Sequence, residues 1–213
     1  MNEFDIKSAK WDENIMHRER AETIAAEIIK QIPLTREMTA LEFGAGTGLV
    51  SFILKDHLKT VTLIDNSPEM VRVLVEKRDA TGAENLDVVK IDLEHVDYKE
   101  TTFDLIYTVM VLHHIHDVAR IIKKFYRLLK PKGYLAIADL YSEDGSFHSS
   151  GFSGHKGFDP DVLSGLLGKE GYSCVNHRKV YVISKKISDD IIKQFDVFLI
   201  TAQRLTLNKA RLR

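Results

Sequence analysis

One cysteine, four prolines and no excess of either charge set the first limits on this chain. With Cys174 alone, no intrachain disulfide can form, so nothing points to an oxidising compartment. Cys174 falls in a strand-like stretch and is expected to be a buried, inert thiol. No segment approaches the ~20 apolar residues that span a bilayer, and Met1 to Lys10 carries no apolar run of a leader peptide. A cytoplasmic location without a membrane span is the default expectation. The 30 Lys and Arg against 31 Asp and Glu give a formal net charge of −1. Proteins that track a nucleic-acid backbone carry a strong basic excess, so nucleic acid is not an expected partner. Basic residues cluster only in the tail, at Arg204, Lys209, Arg211 and Arg213, which reads as a solvated end. Internal repeats and low-complexity tracts are missing too.

What is present alternates. The 213 residues, 44% of them hydrophobic, suffice for one α/β domain. Residues 17–31 read as a leading helix with Ala21, Ile24, Ala25, Ile28 and Ile29 on one face, stopped by Pro33. Strands follow at Thr39–Phe43, Thr60–Ile64, Leu86–Ile91, Phe103–Thr108 and Tyr134–Asp139. Between them lie helices, one opening at Ser67-Pro68 and one capped by Asp117 with Val118, Ile121, Ile122, Phe125, Leu128 and Leu129 on its apolar face. Lys130-Pro131-Lys132-Gly133 reads as a turn. Strands alternating with helices predict βαβ units and a parallel sheet. The rhythm breaks over residues 141–158, a Gly-, Ser- and His-rich stretch long enough for a lid or substrate loop. Asp159-Pro160 then caps a helix to about Gly168, and strands are expected near Tyr172–Ile183 and Phe195–Ala202. The polar run Lys185–Lys193 between them fits a hairpin loop or a short helix.

The first strand ends Leu41-Glu42-Phe43-Gly44-Ala45-Gly46-Thr47-Gly48. Glycines let the backbone bend sharply and let a ligand approach, and the next helix points its amides into the same space. A Gly-rich turn can also be a plain connector between strand and helix. The dinucleotide fingerprint G-x-G-x-x-G is not met, because Leu49 or Ser51 stands at its third position. An acid two residues before the first glycine suits a cationic ligand better than a pyrophosphate.

E-x-G-x-G-x-G after a first strand resembles the signature of class I S-adenosylmethionine (SAM)-dependent methyltransferases. Further matches follow in order: Asp65-Asn66 ending the second strand, Ile91-Asp92-Leu93 ending the third, and Phe103-Asp104 leading through Thr108-Val109-Met110 to Leu112-His113-His114 after the fourth. The last stretch is similar to the small-molecule branch, quinone C-methyltransferases among them. The resemblance covers roughly residues 39–139. It implies a Rossmann-like, doubly wound, seven-stranded sheet, mostly parallel with an antiparallel last strand and helices on both faces. It implies one domain over residues 1–213: a helical cap (1–35), a SAM-binding core (36–140) and a substrate side (141–213). It also implies that Glu42, Phe43, Gly44, Ala45, Gly46, Thr47 and Gly48 wrap the methionine part of SAM. Asp65 and Asn66 would meet the ribose, Asp92 and Leu93 the adenine, and the backbone at Thr108, Val109 and Met110 the amino end. His113 is expected in the same site as a residue hydrogen-bonded under the cofactor loop, and Met70 and Met110 are candidates for apolar contact with the adenosine, with core filling as the alternative.

Methyl transfer to a small-molecule acceptor, releasing S-adenosylhomocysteine (SAH), is the expected activity. His155, in a His-Lys-Gly-Phe element before a helix, is the leading candidate for a base, with Tyr141 beside it. Trp11, His114, Phe147 and Phe152 are candidates to line the acceptor pocket, with ordinary core packing as the alternative for the aromatics. His148 lies in the same irregular segment. His113, His114 and His116 are too close in sequence to converge on one ion, and no acid follows the fourth strand, so no metal is expected. The proline-containing motif of base amino-methyltransferases is missing from Thr108-Val109-Met110-Val111, which argues against nucleic-acid acceptors. A non-catalytic SAM sensor and a nicotinamide oxidoreductase remain as other readings.

Overall fold

Asn14 opens the first helix, α1 (Ile15–Gln31): its side chain accepts from the Met16 N–H at 3.0 Å, setting the start two residues before the apolar pattern does. The structure, a computed structural model, describes residues 8–98, 102–148 and 151–205. The first seven residues and the tail residues Lys209, Arg211 and Arg213 lie outside the described residues. No described helix is long and apolar enough to cross a membrane.

Seven strands form one sheet: β1 (Thr39–Phe43), β2 (Thr60–Asp65), β3 (Leu86–Lys90), β4 (Phe103–Val109), β5 (Leu129–Leu140), β6 (Tyr172–Ser188) and β7 (Ile191–Arg204). Their order is β3-β2-β1-β4-β5-β7-β6. The first five in that row run parallel, and β7 is antiparallel to both of its neighbours. Four more helices complete the frame: α2 (Leu49–Leu54), α3 (Pro68–Thr81), α4 (Val118–Leu128) and α5 (Pro160–Lys169). Ser67, Asp117 and Asp159 cap the last three, each accepting from backbone amides in the first turn.

The period of two along each strand divides the core between the sheet's faces. Val197 and Leu199 of β7 pack with Ile24 and Ile28 of α1 and Val50 and Leu54 of α2. Phe198 and Ile200 point the other way, with Ile121 and Phe125 of α4 and Leu163 and Leu167 of α5. With both faces covered, these strands carry the nearly unbroken apolar runs seen in the sequence. The chain winds outward from β1 to β3, then returns to β4 on the other side of β1. Loops leaving β1 and β4 therefore diverge and open a crevice at the carboxyl ends of the strands.

Several expectations are corrected. Lys130–Gly133 is not a free turn but the first part of β5, carrying Lys132 at φ 66° where the pairing with β4 shifts between Phe103 and Leu105. Leu129, assigned to the helix face, already belongs to that strand. Lys185–Lys193 is neither loop nor helix: β6 and β7 continue through it to a turn at Asp189-Asp190, because polar side chains on an edge hairpin do not prevent ladder pairing. Cys174 is exposed, not buried; β6 bulges between Ser173 and Asn176, and the left-handed φ of 51° at Cys174 swings its side chain outward. Residues 141–158 are irregular, as expected, with both legs tied: Ser142 N–H donates to Phe158 O at 2.9 Å and Phe158 N–H to Leu140 O at 2.8 Å.

Lys124 is a buried amine that no pattern in the sequence singled out. From α4 it donates to the carbonyls of Leu93 at 2.8 Å and Val96 at 3.0 Å and pairs with Asp97 at 3.0 Å, holding the turn that presents Asp92. Lys124→Met leaves those carbonyls without their donor. It is expected to lower unfolding stability by about 1–3 kcal/mol in a urea titration, since each buried acceptor forfeits its compensation.

Candidate active site

The crevice is a cavity of about 840 Å³ whose floor is the loop after β1. Gly44 and Gly48 adopt φ +70° and +76°. A Cβ would stand 2.5 Å from Val111 Cγ2 at the first and 2.6 Å from Leu74 Cδ1 at the second, so conformation and space both demand glycine. The loop is held from beneath. Gly44 and Ala45 N–H donate to Ile64 O, and the Asp65 carboxylate accepts from Gly46 N–H at 2.7 Å and Ser67 N–H at 2.9 Å. One side chain at the end of β2 thus fixes both the glycine loop and the start of α3.

Glu42 is buried under this loop and reaches the cavity. Ser51 Oγ donates to its carboxyl and also meets Tyr107 Oη at 2.6 Å. Burial pushes the Glu42 carboxyl up to about 8, with the nearby Asp65 charge adding to the shift against the Ser51 bond. Burial likewise raises the Tyr107 phenol. At neutral pH the acid is therefore largely neutral, and a cation placed in the cavity would favour its ionisation.

At the far end Asp92 lines the cavity, accepting from Glu94 N–H at 3.1 Å and meeting His95 Nδ1 at 2.8 Å. Phe43, Asn66, Met70 and Leu93 complete that wall. The cap is the opposite wall. Asp12 accepts from Thr47 Oγ1 at 2.5 Å and pairs with Lys77 at 2.7 Å, stitching the turn before α1 to the glycine loop. Trp11 and Arg20 thereby line the cavity. Desolvation lowers the Arg20 guanidinium from its usual value, opposed through space by Tyr181 and Asp139. Among the described residues no hydrogen-bonded carboxylate holds it.

Val109, Met110, His113, His114, Phe147, His148 and Lys185 form the remaining side. His113 is buried, with Nδ1 2.6 Å from Asp139 Oδ1. Met110 leaves β4 at φ 59°. Five expected site residues do not line the cavity. Gly48 starts α2 and Thr108 donates to Phe43 O, each one layer behind. Phe152 stacks on His148, ring centroids 3.7 Å apart. His155 donates its backbone N–H to His113 O at 2.7 Å and packs its ring by Phe158, and Tyr141 sits edge-on to Phe198. His155 and Tyr141 thus stand outside the cavity lining. The expectation of no metal rested on His113, His114 and His116; the fold turns His116 to solvent and brings His148 to the other two instead. Asp12, Arg20, Lys77 and Lys185 carried no motif that would have found them.

The family pattern for a methyltransferase domain matches residues 41–137. Over those residues the chain is similar to methyltransferase domains. An uncharacterized methyltransferase of Schizosaccharomyces pombe is 32% identical over 146 residues, which cover 61% of this chain and 51% of that protein. A malonyl-[acyl-carrier protein] O-methyltransferase of Enterobacter lignolyticus is 26% identical over 165 residues, 72% of this chain and 63% of the relative. The chain thus spans about half to two thirds of the length of these relatives. The crystal structure of YcgJ from Bacillus subtilis shares the fold with a TM-score of 0.74 at 16% identity, over 87% of this chain and 99% of that one. SAM is the cofactor of such methyltransferase domains.

The Glu42 proton gives a stability signature. The folded carboxyl titrates near 8, against 4.5 as its ordinary value. A raised folded value means stability is fully present below the ordinary value and is lost as pH rises towards 8. Between about pH 5 and about pH 8, Glu42→Gln is expected to lose less stability than the parent, by a few kcal/mol at most, read from urea midpoints. Parallel pH profiles for the two proteins would show that Glu42 ionises normally.

Proposed function

We propose that this chain moves the methyl group of SAM to a small-molecule acceptor in this cavity, the cap, core and substrate side acting as one unit. The observation that carries the reading is the cavity's polarity. A buried acid and two further carboxylates line it together with a desolvated guanidinium and an aromatic, histidine-rich wall. Its volume fits the usual range for ligand sites.

The residues present fit the cofactor. The side-chain-free bend at Gly44–Gly48 admits the methionine chain, and Glu42 supplies a carboxyl that ionises for an ammonium or sulfonium. Asp65 keeps acceptor capacity for the ribose hydroxyls, and Asp92 for the adenine amino group, with Met70 and Leu93 against the ring. Arg20 is the cation for the cofactor's carboxylate. When bound, SAM supplies an electrophilic methyl on sulfur, which passes in line to the acceptor as SAH leaves and the acceptor proton goes to solvent or a base. The protein aligns the partners and excludes water, Trp11 and Phe147 covering the reacting end. A net charge of −1 supports a metabolite over a nucleic acid as acceptor.

Calorimetry is expected to show micromolar binding of SAM and SAH and none of NAD, and a labelled-SAM screen of small acceptors to find turnover. Arg20→Met should weaken SAH binding by about tenfold or more, the worth of a charge-assisted hydrogen bond. Unchanged SAH affinity with a raised acceptor KM would move Arg20 to the acceptor. Tight SAH binding with no transfer to any small acceptor would replace the enzyme by a SAM sensor.

A further inference from the structure

His113 and His114 occupy a short turn of 3-10 helix after β4, and His148 belongs to the irregular stretch before α5. Each offers one imidazole nitrogen to a common point, and these three atoms lie within 4.8 Å of one another. The ring centroids are 4.2 Å apart for His113–His114, 5.1 Å for His113–His148 and 5.3 Å for His114–His148. Nitrogens sharing one zinc ion stand roughly 3.3 Å apart, given Zn–N bonds of about 2.0–2.1 Å, so small ring rotations close the set.

The surroundings resemble what a ligand set requires. Asp139 stands behind His113, its Oδ1 2.6 Å from Nδ1, with both side chains buried. The same carboxylate accepts from the His113 backbone at 3.2 Å and from Leu140 N–H at 2.7 Å, so it cannot turn away. This fixes the proton on Nδ1 and leaves Nε2 for an ion, the carboxylate–histidine arrangement that orients metal ligands. The third ligand is braced independently. Glu143 accepts from the N–H groups of Gly145 and Phe147. Lys193 pairs with Asp144 at 2.5 Å, and Lys185 donates to Phe147 O. The Phe152 ring lies flat on His148 at an interplanar angle of 17°. The extended β6–β7 hairpin thereby presets His148.

We propose that His113, His114 and His148 bind one divalent first-row metal ion, with its open coordination position facing the methyl acceptor. Three neutral nitrogens without a carboxylate suit zinc(II) or a similar borderline ion, and three protein ligands leave room for a fourth from solvent or substrate. The role in transfer rests on the methyltransferase reading of the cavity. There the ion would take an acceptor hydroxyl, enol or amine as a Lewis base and ease loss of its proton to solvent, which exposes the lone pair that receives the methyl group. It would also replace the protein base that His155 and Tyr141 do not supply at this position.

Metal-depleted full-length protein titrated with zinc chloride is the test, with cobalt(II) as the spectroscopic probe and SAH binding as the independent readout. One equivalent of zinc is expected, with visible cobalt bands of a four- or five-coordinate site. His148→Ala and His114→Ala should each weaken zinc binding at least about tenfold, and His155→Ala should not. All three variants should still bind SAH. No stoichiometric uptake of either ion, or uptake unchanged in His148→Ala, overturns the proposal. Zinc bound without SAH keeps the metal site and removes the methyltransferase role, whereas SAH bound without zinc does the reverse.

Discussion

The backbone must leave β1 through a left-handed bend, and the rest of the site is arranged around that bend. Gly44 and Gly48 take positive φ where Val111 and Leu74 leave no room for a Cβ. The bend alone would be floppy, because glycine loses the most conformational freedom on ordering. Asp65 offsets that cost by accepting from Gly46 and Ser67 N–H, and Asp12 adds a second tie from above through Thr47 and Lys77. The floor and the cap are thus coupled through the glycine loop.

Electrostatics gives the cavity a direction. Glu42 is buried deeply enough to hold its proton near neutral pH, and Arg20 is desolvated with through-space help from Tyr181 and Asp139. Each of these states is unfavourable without a ligand and is relieved by a partner of opposite charge. A zwitterionic amino acid portion relieves both at once. Asp139 joins the two halves: it acts on Arg20 through space and binds His113 directly, so the cofactor wall and the histidine wall share one buried carboxylate.

The regular elements were legible because their signals are local. The cap at Asp159, the proline after Ser67 and the short apolar runs of the strands act within a few residues, and the structure places the elements accordingly. The bend at Gly44–Gly48 was legible for the same reason. The errors came where pairing decides. Lys130–Gly133 carries every mark of a turn yet stands inside β5, as a bulge between the pairs Phe103–Leu129 and Leu105–Tyr134. Lys185–Lys193 is polar yet extends the last hairpin, because Lys185, Lys186 and Ser188 meet Lys193, Ile192 and Ile191 across the ladder.

Local chemistry of the chain therefore determined the helices, the order of the elements and the glycine bend, all of which depend on neighbours in sequence. Tertiary structure alone decided which side chains meet. It set Arg20 and Asp12 against the glycine loop, turned His155 and Tyr141 aside, and brought His148 to His113 and His114 from a different segment. No spacing rule carries such information: the encounters are fixed by the register of β7 between β5 and β6 and by the path of the 141–158 segment, through contacts between residues far apart in the chain.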